Sequence, residues 1–318
     1  MKTALVTGGG GFIGSHLVDR LLDDGVQVIC VDNFLTGRKE NVAHLQSNPR
    51  FTLIEADVSQ PTEAYLPQSG NIDMIFHLAS PASPRGYQEY PIETYSVNSF
   101  GTHHLLTLAK SLKAKFLLAS TSEVYGDPLE HPQVETYWGN VHTLGIRACY
   151  DESKRFGEMA AMVFHREFGV DVRIIRIFNT YGPRMDPKDG RVIPNFVMQA
   201  LRNKPITVYG NGKQTRSLCY VSDMVEGMLS MMNSQKACGK VYNIGNPDEY
   251  TVLDLANIIK KACKSSSQLI FSDLPEDDPS RRKPDVSLAR KELHWQPKVT
   301  FEEGLPQTIA YFRTLLNP

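Results

Sequence analysis

The sequence predicts an α/β protein: a doubly wound parallel sheet, with a smaller mixed α/β substrate-binding domain. Three observations carry this expectation. Short apolar runs alternate with longer helical patterns through the first half of the 318-residue chain, as in βαβ units whose sheet is covered on both faces. The first apolar run leads directly into Gly8, Gly11 and Gly14 and then into an amphipathic stretch, which reads as strand, tight turn and helix start. Further on, Tyr150 precedes Lys154 by four residues in a helical pattern, so both lie on one helix face.

Taken in order, the candidate strands are residues 2–7, 26–31, 51–55, 74–78, 115–120 and 172–177, with helices between them that include 92–111 and 150–168. The turn after the first strand, with Phe12 and Ile13 opening its helix, sets backbone amides and a positive helix end against a pyrophosphate, the Rossmann arrangement. The alternative is a glycine turn without a ligand. The second strand ends at Asp32, a carboxylate that accepts hydrogen bonds from a ribose diol and repels a 2′-phosphate, so NAD is expected over NADP. Asn33, Phe34, Thr36 and Gly37 follow it and are assigned to the same cofactor. Arg38 carries the competing readings: a partner for that phosphate, a guanidinium stacked on adenine, or a solvated loop charge.

Asp57 and Val58 lie past the third strand, on the adenine side, and Leu78, Ala79 and Ser80 lie past the fourth, on the nicotinamide side. Sites of open α/β sheets form at these strand ends. Thr121 follows the fifth strand, and Asn98 and Thr180 complete the expected cofactor contacts. At this edge the Lys154 ammonium is expected to lower the pKa of the Tyr150 phenol and prepare it as a general base for a hydroxyl proton. The Thr121 hydroxyl can hold the same substrate oxygen. Glu123 adds a carboxylate that simple alcohol oxidation does not need, which suggests oxidation of a sugar hydroxyl coupled to a second step.

The bulk composition excludes several classes. A formal net charge of −1 recommends neither nucleic acid nor an anionic membrane as partner. The five cysteines are scattered without a Cys-x-x-Cys pair, so they read as reduced thiols and not as a disulfide framework or zinc site. Cys149 reads as a packing residue beside Tyr150. The nine histidines show no metal-ligand spacing, and no metal is expected. No signal peptide and no run long enough to cross a bilayer is visible. A soluble, cytoplasmic protein is the expectation.

After Tyr181 glycine and proline rise and the elements become short. A strand at 241–244 is expected to return to the parallel sheet. The division is therefore an NAD-binding domain over 1–180, with 217–246 returning to it, and a mainly nucleotide-sugar-binding domain over 181–318. Two late helices have clear starts, Thr251-x-x-Asp254 and the capping box Thr300-x-x-Glu303. The charged run 277–285, with Arg281, Arg282 and Lys283, reads equally as solvated surface and as a phosphate or carboxylate site.

Longer motifs point to a family. They are His77-Leu-Ala-Ser-Pro-Ala-Ser-Pro84, Ala119-Ser-Thr-Ser-Glu-Val-Tyr-Gly-Asp-Pro128, His131-Pro-Gln133, Tyr137-Trp-Gly139 and Arg147-Ala-Cys-Tyr-Asp-Glu152. Ile177-Phe-Asn-Thr-Tyr-Gly-Pro-Arg-Met185, Asp189-Gly-Arg-Val192, Thr207-Val-Tyr-Gly210, Gln214-Thr-Arg216, Tyr220-Val-Ser-Asp223 and Arg282-Lys-Pro-Asp285 continue them. On these residues the chain resembles the extended short-chain dehydrogenase/reductase family over nearly its whole length, and within it the UDP-glucuronate decarboxylases, which make UDP-xylose. The resemblance implies Thr121, Tyr150 and Lys154 as the oxidoreductase core, with Glu123 and Arg282 as a decarboxylase-specific pair near the sugar carboxylate. It implies Asn179, Arg191, Asn195, Tyr209, Gln214, Arg216 and Arg282 around uridine diphosphate, Pro84 and Tyr87 near the sugar, and a homodimer through helices 92–111 and 150–168. The implied chemistry is oxidation of C4 by a retained NAD, loss of carbon dioxide from the β-keto acid, and re-reduction.

Ser96, His104 and Ile146 stand where decarboxylases often carry Lys, Asn and Pro. Three other readings share the fold. A 4-epimerase needs neither Glu123 nor Arg282. A 4,6-dehydratase typically has Asp-Glu where this chain has Ser122-Glu123. A non-catalytic nucleotide sensor commonly lacks the Tyr or the Lys.

Overall fold

The computed structural model describes residues 1–66, 71–274 and 281–316. Residues 277–280 of the charged run fall outside these. The chain runs β1 (Thr3–Thr7), α1 (Phe12–Asp23), β2 (Gln27–Asp32), β3 (Phe51–Glu55), β4 (Met74–His77), α2 (Pro84–Glu89), α3 (Pro91–Ser96), α4 (Thr102–Leu112), β5 (Lys115–Thr121) and α5 (Ala148–Phe168). It continues through β6 (Val172–Ile177), β7 (Thr180–Tyr181), α6 (Val192–Leu201), β8 (Ile206–Tyr209), β9 (Thr215–Ser217), β10 (Cys219–Tyr220) and α7 (Val221–Asn233). The last elements are β11 (Lys240–Ile244), β12 (Glu249–Thr251), α8 (Val252–Ala262), β13 (Leu269–Ser272), α9 (Ser287–Leu293) and α10 (Phe301–Thr314).

Seven strands form one sheet in the order β11-β6-β5-β4-β1-β2-β3, and every pairing is parallel. All four residues of β4 are buried, as expected of a strand covered on both faces. On one face α1 and α7 pack Leu17, Val18, Met224 and Met228. On the other, α4 and α5 bring Leu105, Leu106, Ala161 and Phe164. A further core lies among α6, α8 and α10, around Phe196, Val197, Leu255, Ile259 and Phe312. The register aligns Thr7 with Val31 and with His77, and Thr121 with Ile177. The strand ends carrying Gly8, Asp32, Leu78 and Thr121 therefore open on one edge, and the strand order reverses between β1 and β4, where such sheets bind ligands.

β11 takes the edge position beside β6, the strand expected at 241–244. Both late helix starts are as read. Thr251 caps α8 through the Asp254 amide, and Thr300 and Glu303 form a complete capping box on α10. The single helix expected over 92–111 is instead α3 and α4 joined through a π turn at Val97–Gly101. That wider turn carries Asn98, which is buried and donates to Ser80 Oγ at 3.1 Å and Ser153 Oγ at 3.0 Å. A helical period cannot register the extra residue.

Candidate active site

A cavity of about 600 Å³ opens along the strand-end edge and runs into the cleft formed by the later elements. At one end lies the glycine turn. Gly8 has φ +74°, and a Cβ there would sit 2.6 Å from the Ala79 nitrogen; a Cβ on Gly14 would sit 2.1 Å from the Gly8 carbonyl. Only glycine lets the turn fold this tightly against β4 and α1. Gly8, Gly11, Phe12, Ile13 and Gly14 all line the cavity, with the α1 N-terminus free of any side-chain cap.

Asp32 lies beside this turn. Its carboxylate accepts from the Gly10 amide at 2.9 Å and the Phe34 amide at 2.8 Å, leaving further acceptor sites. Burial raises its pKa, opposed by these backbone donors. Asn33, Thr36, Gly37, Arg38, Asp57, Val58, Leu78, Ala79, Ser80 and Thr180 also line the cavity. Two expected cofactor contacts do not. Phe34 turns its ring onto Gly10, where an added Cβ would be 2.5 Å away, and its φ of +56° directs the chain back to Asp32. Asn98 lies behind Ser80 and reaches the cavity only through that hydroxyl. Sequence position places both residues near the cofactor but cannot tell a lining residue from a supporting one.

Thr121, Tyr150 and Lys154 converge midway along the cavity. Tyr150 and Lys154 are 4 % exposed. The Thr121 hydroxyl favours the ionised form of the Tyr150 phenol, and Tyr87 stacks on Tyr150 with centroids 5.0 Å apart and planes 9° from parallel. The Lys154 ammonium donates to the Ala119 carbonyl at 2.8 Å and lies 5.8 Å from the Tyr150 ring centroid. The expected drop in the phenol's pKa is not found. Burial raises it, with Glu123 and Asp151 adding in the same direction and Thr121 opposing. Burial also drives the Lys154 ammonium down to about 7, against the pull of Glu158. Desolvation of both groups outweighs the attraction between them.

Facing these residues is a cluster of charge. Glu123 is bonded by Arg282 Nη1, by Arg147 Nη2 at 2.8 Å and by the Ser122 hydroxyl at 2.9 Å. Burial alone would raise its pKa, but the two guanidinium groups hold it at about 2. Arg282 is 4 % exposed and gives Nη2 to the Gly126 carbonyl at 3.1 Å. Its Nε is buried without a hydrogen-bond partner among the described residues. Two guanidinium groups thus converge on one carboxylate. Arg147 was not singled out by the sequence reading. It precedes Tyr150 by three residues, one helical turn, and that spacing is the signal that places it on the same face.

The remaining expected substrate residues, Pro84, Tyr87, Asn179, Arg191, Asn195, Tyr209, Gln214 and Arg216, all line the same cavity. Asp189 grips Arg191 at 2.6 and 2.7 Å, which fixes the guanidinium. Asn195 donates to the Gly190 carbonyl and Gln214 to the Tyr209 carbonyl, both at 2.8 Å. Ser96, His104 and Ile146 do not line the cavity. Cys149 donates to the Tyr87 carbonyl at 3.5 Å, and burial raises its pKa, which suits packing and not nucleophilic attack. Among the described residues no group of three His, Cys, Asp or Glu is placed to hold a metal ion, and no helix is long and apolar enough to cross a membrane.

Comparison with known proteins adds to this geometry. Residues 5–308 match the family model described as GDP-mannose 4,6 dehydratase. The chain is 54 % identical over 314 residues to UDP-glucuronic acid decarboxylase 1 of Arabidopsis thaliana, covering 98 % of this chain and 70 % of that protein. It is 50 % identical over 316 residues to UDP-glucuronic acid decarboxylase 1 of Xenopus tropicalis, covering 99 % and 73 %. Among solved structures it is similar to UDP-glucuronic acid 4-epimerase from Bacillus cereus in complex with UDP-glucuronic acid and NAD. That likeness has a TM-score of 0.87 and 29 % identity, over 98 % of this chain and 99 % of the other. UDP-glucose 4-epimerase from Thermotoga maritima, with UDP-glucose, gives a TM-score of 0.89 and 30 % identity over 99 % of both chains.

Proposed function

We propose that this chain, which belongs to the UDP-glucuronic acid decarboxylase family of extended short-chain dehydrogenases/reductases, is an NAD-dependent enzyme that converts UDP-glucuronate to UDP-xylose. The observation that carries the reading is the Arg147–Glu123–Arg282 triad set against Thr121 and Tyr150 in one cavity. Oxidation alone needs only the Tyr-Lys-Thr group. Two guanidinium groups in the same cavity suit a sugar that carries a carboxylate. The residues that depart from the family pattern stand off the cavity, and Arg147 and Arg282 supply cations within it.

The residues at the dinucleotide end fit NAD. The turn at Gly8 and Gly14 admits no side chain, α1 presents an uncapped N-terminus, and Asp32 offers unused acceptor sites to a ribose diol. Bound there, NAD supplies a hydride acceptor and later the hydride donor, so net redox is zero. The phenolate form of Tyr150, which the positive charge of a bound nicotinamide would favour over the neutral phenol, takes the proton of the sugar's 4-hydroxyl as C4 becomes a ketone. The C6 carboxylate is then β to a carbonyl, which accepts the electron pair released when carbon dioxide leaves. Arg282 and Arg147 hold the carboxylate before it departs. Glu123 stays ionised throughout, neutralising charge on the guanidinium groups and orienting the water that protonates C5 of the enolate. Tyr150 returns its proton to the C4 oxygen at the end. Arg191, fixed by Asp189, and Arg216 bind the diphosphate.

Two features favour this reading over its relatives. The decarboxylases share 50–54 % identity with this chain and the two epimerase structures 29–30 %. Ser122 donates to Glu123 at the position where a dehydratase typically has an acid to expel a hydroxyl. The test supplies UDP-glucuronate and follows carbon dioxide, UDP-xylose and absorbance of reduced nicotinamide together. Equal release of carbon dioxide and pentose with no lasting absorbance is expected. Galacturonate formed without gas would replace this reading with the epimerase.

A homodimer in the cytoplasm belongs to the same proposal. Ile92, Tyr95 and Phe100 from the α3–α4 stretch and Phe156, Met159 and Phe168 from α5 are between 43 % and 62 % exposed. Apolar side chains concentrated on neighbouring helices suit pairing with a second copy.

A further inference from the structure

We propose that Gln133 is the positioning residue for Arg282, clamping the segment that carries it so that the guanidinium stays against Glu123. This rests on the decarboxylase reading for its catalytic consequence, but not for its geometry. Arg282 lies in a stretch without regular secondary structure, so no helix or strand of its own fixes it. Ser217 Oγ donates to the Arg282 carbonyl at 3.1 Å, and the backbone of the residues that follow is held chiefly by Gln133.

Gln133 is fully buried, with 0 % exposure. Its amide nitrogen donates to the Lys283 carbonyl at 2.9 Å, and its side-chain Oε1 accepts from the Lys283 amide at 2.9 Å. Its carbonyl accepts from the Asp285 amide at 2.8 Å and from Asn243 Nδ2 at 3.0 Å. Its Nε2 donates to the Glu130 carbonyl at 2.6 Å. Pro284, which pairs with Gln133 as an isolated bridge, has no amide of its own to anchor the segment. The amide, carbonyl and Oε1 of Gln133 thus all hold residues 283–285 while Nε2 anchors the side chain to Glu130, and the planar amide supplies an acceptor and a donor that neither Glu nor an apolar residue supplies together.

The clamp continues inward. Asn243 Oδ1 accepts from the Tyr125 hydroxyl at 2.8 Å, and that hydroxyl accepts from Arg176 Nη1 at 2.8 Å. Arg176 grips Glu158 at 2.9 and 2.7 Å, and Glu158 accepts from the Ser120 hydroxyl at 2.5 Å. Ser120 adjoins Thr121, and Glu158 lies one turn beyond Lys154. One partly buried run of hydrogen bonds therefore leads from Ser120, beside the oxidoreductase residues, to Lys283, beside Arg282, and it sets the distance between the two walls. Such networks hold geometry when every member is satisfied. Misplacing a group by about 1 Å can cost about 10²-fold in rate.

The experiment compares Gln133→Met and Gln133→Glu holoenzymes with the unmutated protein. It measures amide hydrogen exchange, bound NAD, KM and kcat for carbon dioxide release. Gln133→Met removes the acceptor for Lys283 and the donor to Glu130. It should speed exchange at Lys283 by about tenfold, the loss of roughly one hydrogen bond, with a smaller rise at Asp285. It should lower kcat by about 10²-fold and raise KM, with bound NAD and exchange in β1 and α5 unchanged. Gln133→Glu keeps the acceptor and should fall between. Unchanged exchange at Lys283 overturns the clamp, as does faster exchange with unchanged kcat. A rise in exchange throughout the chain with loss of NAD also overturns it, because it would make Gln133 a general packing residue. If the unmutated protein releases no carbon dioxide, the decarboxylase reading falls, and exchange at Lys283 alone then decides the clamp.

Discussion

The two walls of the cavity treat charge in opposite ways. On the oxidoreductase wall, burial raises the pKa of Tyr150 and lowers that of Lys154 to about 7, so both groups move toward their neutral forms. On the other wall Glu123 is half-buried, and two guanidinium groups keep it ionised, with its pKa down at about 2. Lys154 can thus exchange a proton near neutral pH, whereas the second wall holds fixed charge. The difference lies in partners: Lys154 gives its hydrogen bond to a neutral carbonyl, whereas Glu123 faces two cations.

The most severe way to break this division is to remove the proton-moving group. Tyr150→Phe keeps the stacked ring but deletes the ionisable hydroxyl. Carbon dioxide release should fall by about 10² to 10⁴, with bound NAD unchanged in the absorbance spectrum of the purified protein. Near-normal turnover would mean that the walls have been assigned the wrong way round.

Glu123→Gln tests the other wall, and here structure alters the simplest expectation. The change is nearly isosteric, so size alone predicts an intact fold. The triad predicts otherwise, because buried Arg282 and half-buried Arg147 would both lose the carboxylate they share. Breaking such a group should cost about 3–5 kcal/mol, read as a lower denaturation midpoint, together with loss of UDP-xylose formation. Replacing Arg147 with Met in the same background should recover part of the stability and none of the activity.

Asp32→Ala should have a smaller effect, confined to the cofactor end. The carboxylate bonds two loop amides as well as facing the cavity, so its loss should weaken NAD binding by about 10- to 100-fold and narrow the preference over NADP. Titration with each dinucleotide measures this. If the unmutated protein binds NADP as tightly as NAD, Arg38, which also lines this end, controls the choice.

The same contrast explains what the sequence could and could not disclose. Gly8, Gly14, Asp32, Thr121, Tyr150 and Lys154 sit at strand ends or on one helix face, where short spacings determine position. Their convergence therefore follows from periodicity and strand order. The charged wall draws on residues up to 159 positions apart, and no local spacing brings Arg282 to Glu123. Family motifs identified that pair. Arg147 was within reach of helical spacing but carried no signal apart from its neighbours. Gln133 was quoted only as part of a motif, because its role depends on a segment 150 residues away. The π turn at Asn98 was hidden for a different reason: an inserted residue within a helix leaves the apolar pattern on both sides intact.

The smallest expected effect lies where the two walls meet, at Asp151. Its side chain is 7 % exposed, and Oδ1 has no hydrogen-bond partner among the described residues. Burial, with Glu123 adding to it, pushes the carboxyl up to about 7 against the pull of Arg147 and Arg282. Between an unfolded value near 4 and that folded value, the folded protein keeps a proton that the unfolded chain has released. Stability from this group is therefore complete at acid pH and is lost as pH rises toward 7. His77 works the other way below neutrality: burial lowers its pKa to about 3, so the unfolded chain binds the extra proton and stability rises with pH. Lys154 acts mainly above 7. The pH profile of the unmutated protein thus mixes opposing trends, and only a difference isolates Asp151. Asp151→Asn removes its titration. The melting temperature of the variant relative to the unmutated protein should rise between pH 5 and 7, by at least about 1 kcal/mol in stability, or about 2 °C for a chain of this size. A constant difference across that range would mean that Asp151 is already ionised beside Arg147, and that the charged wall extends one turn further into α5.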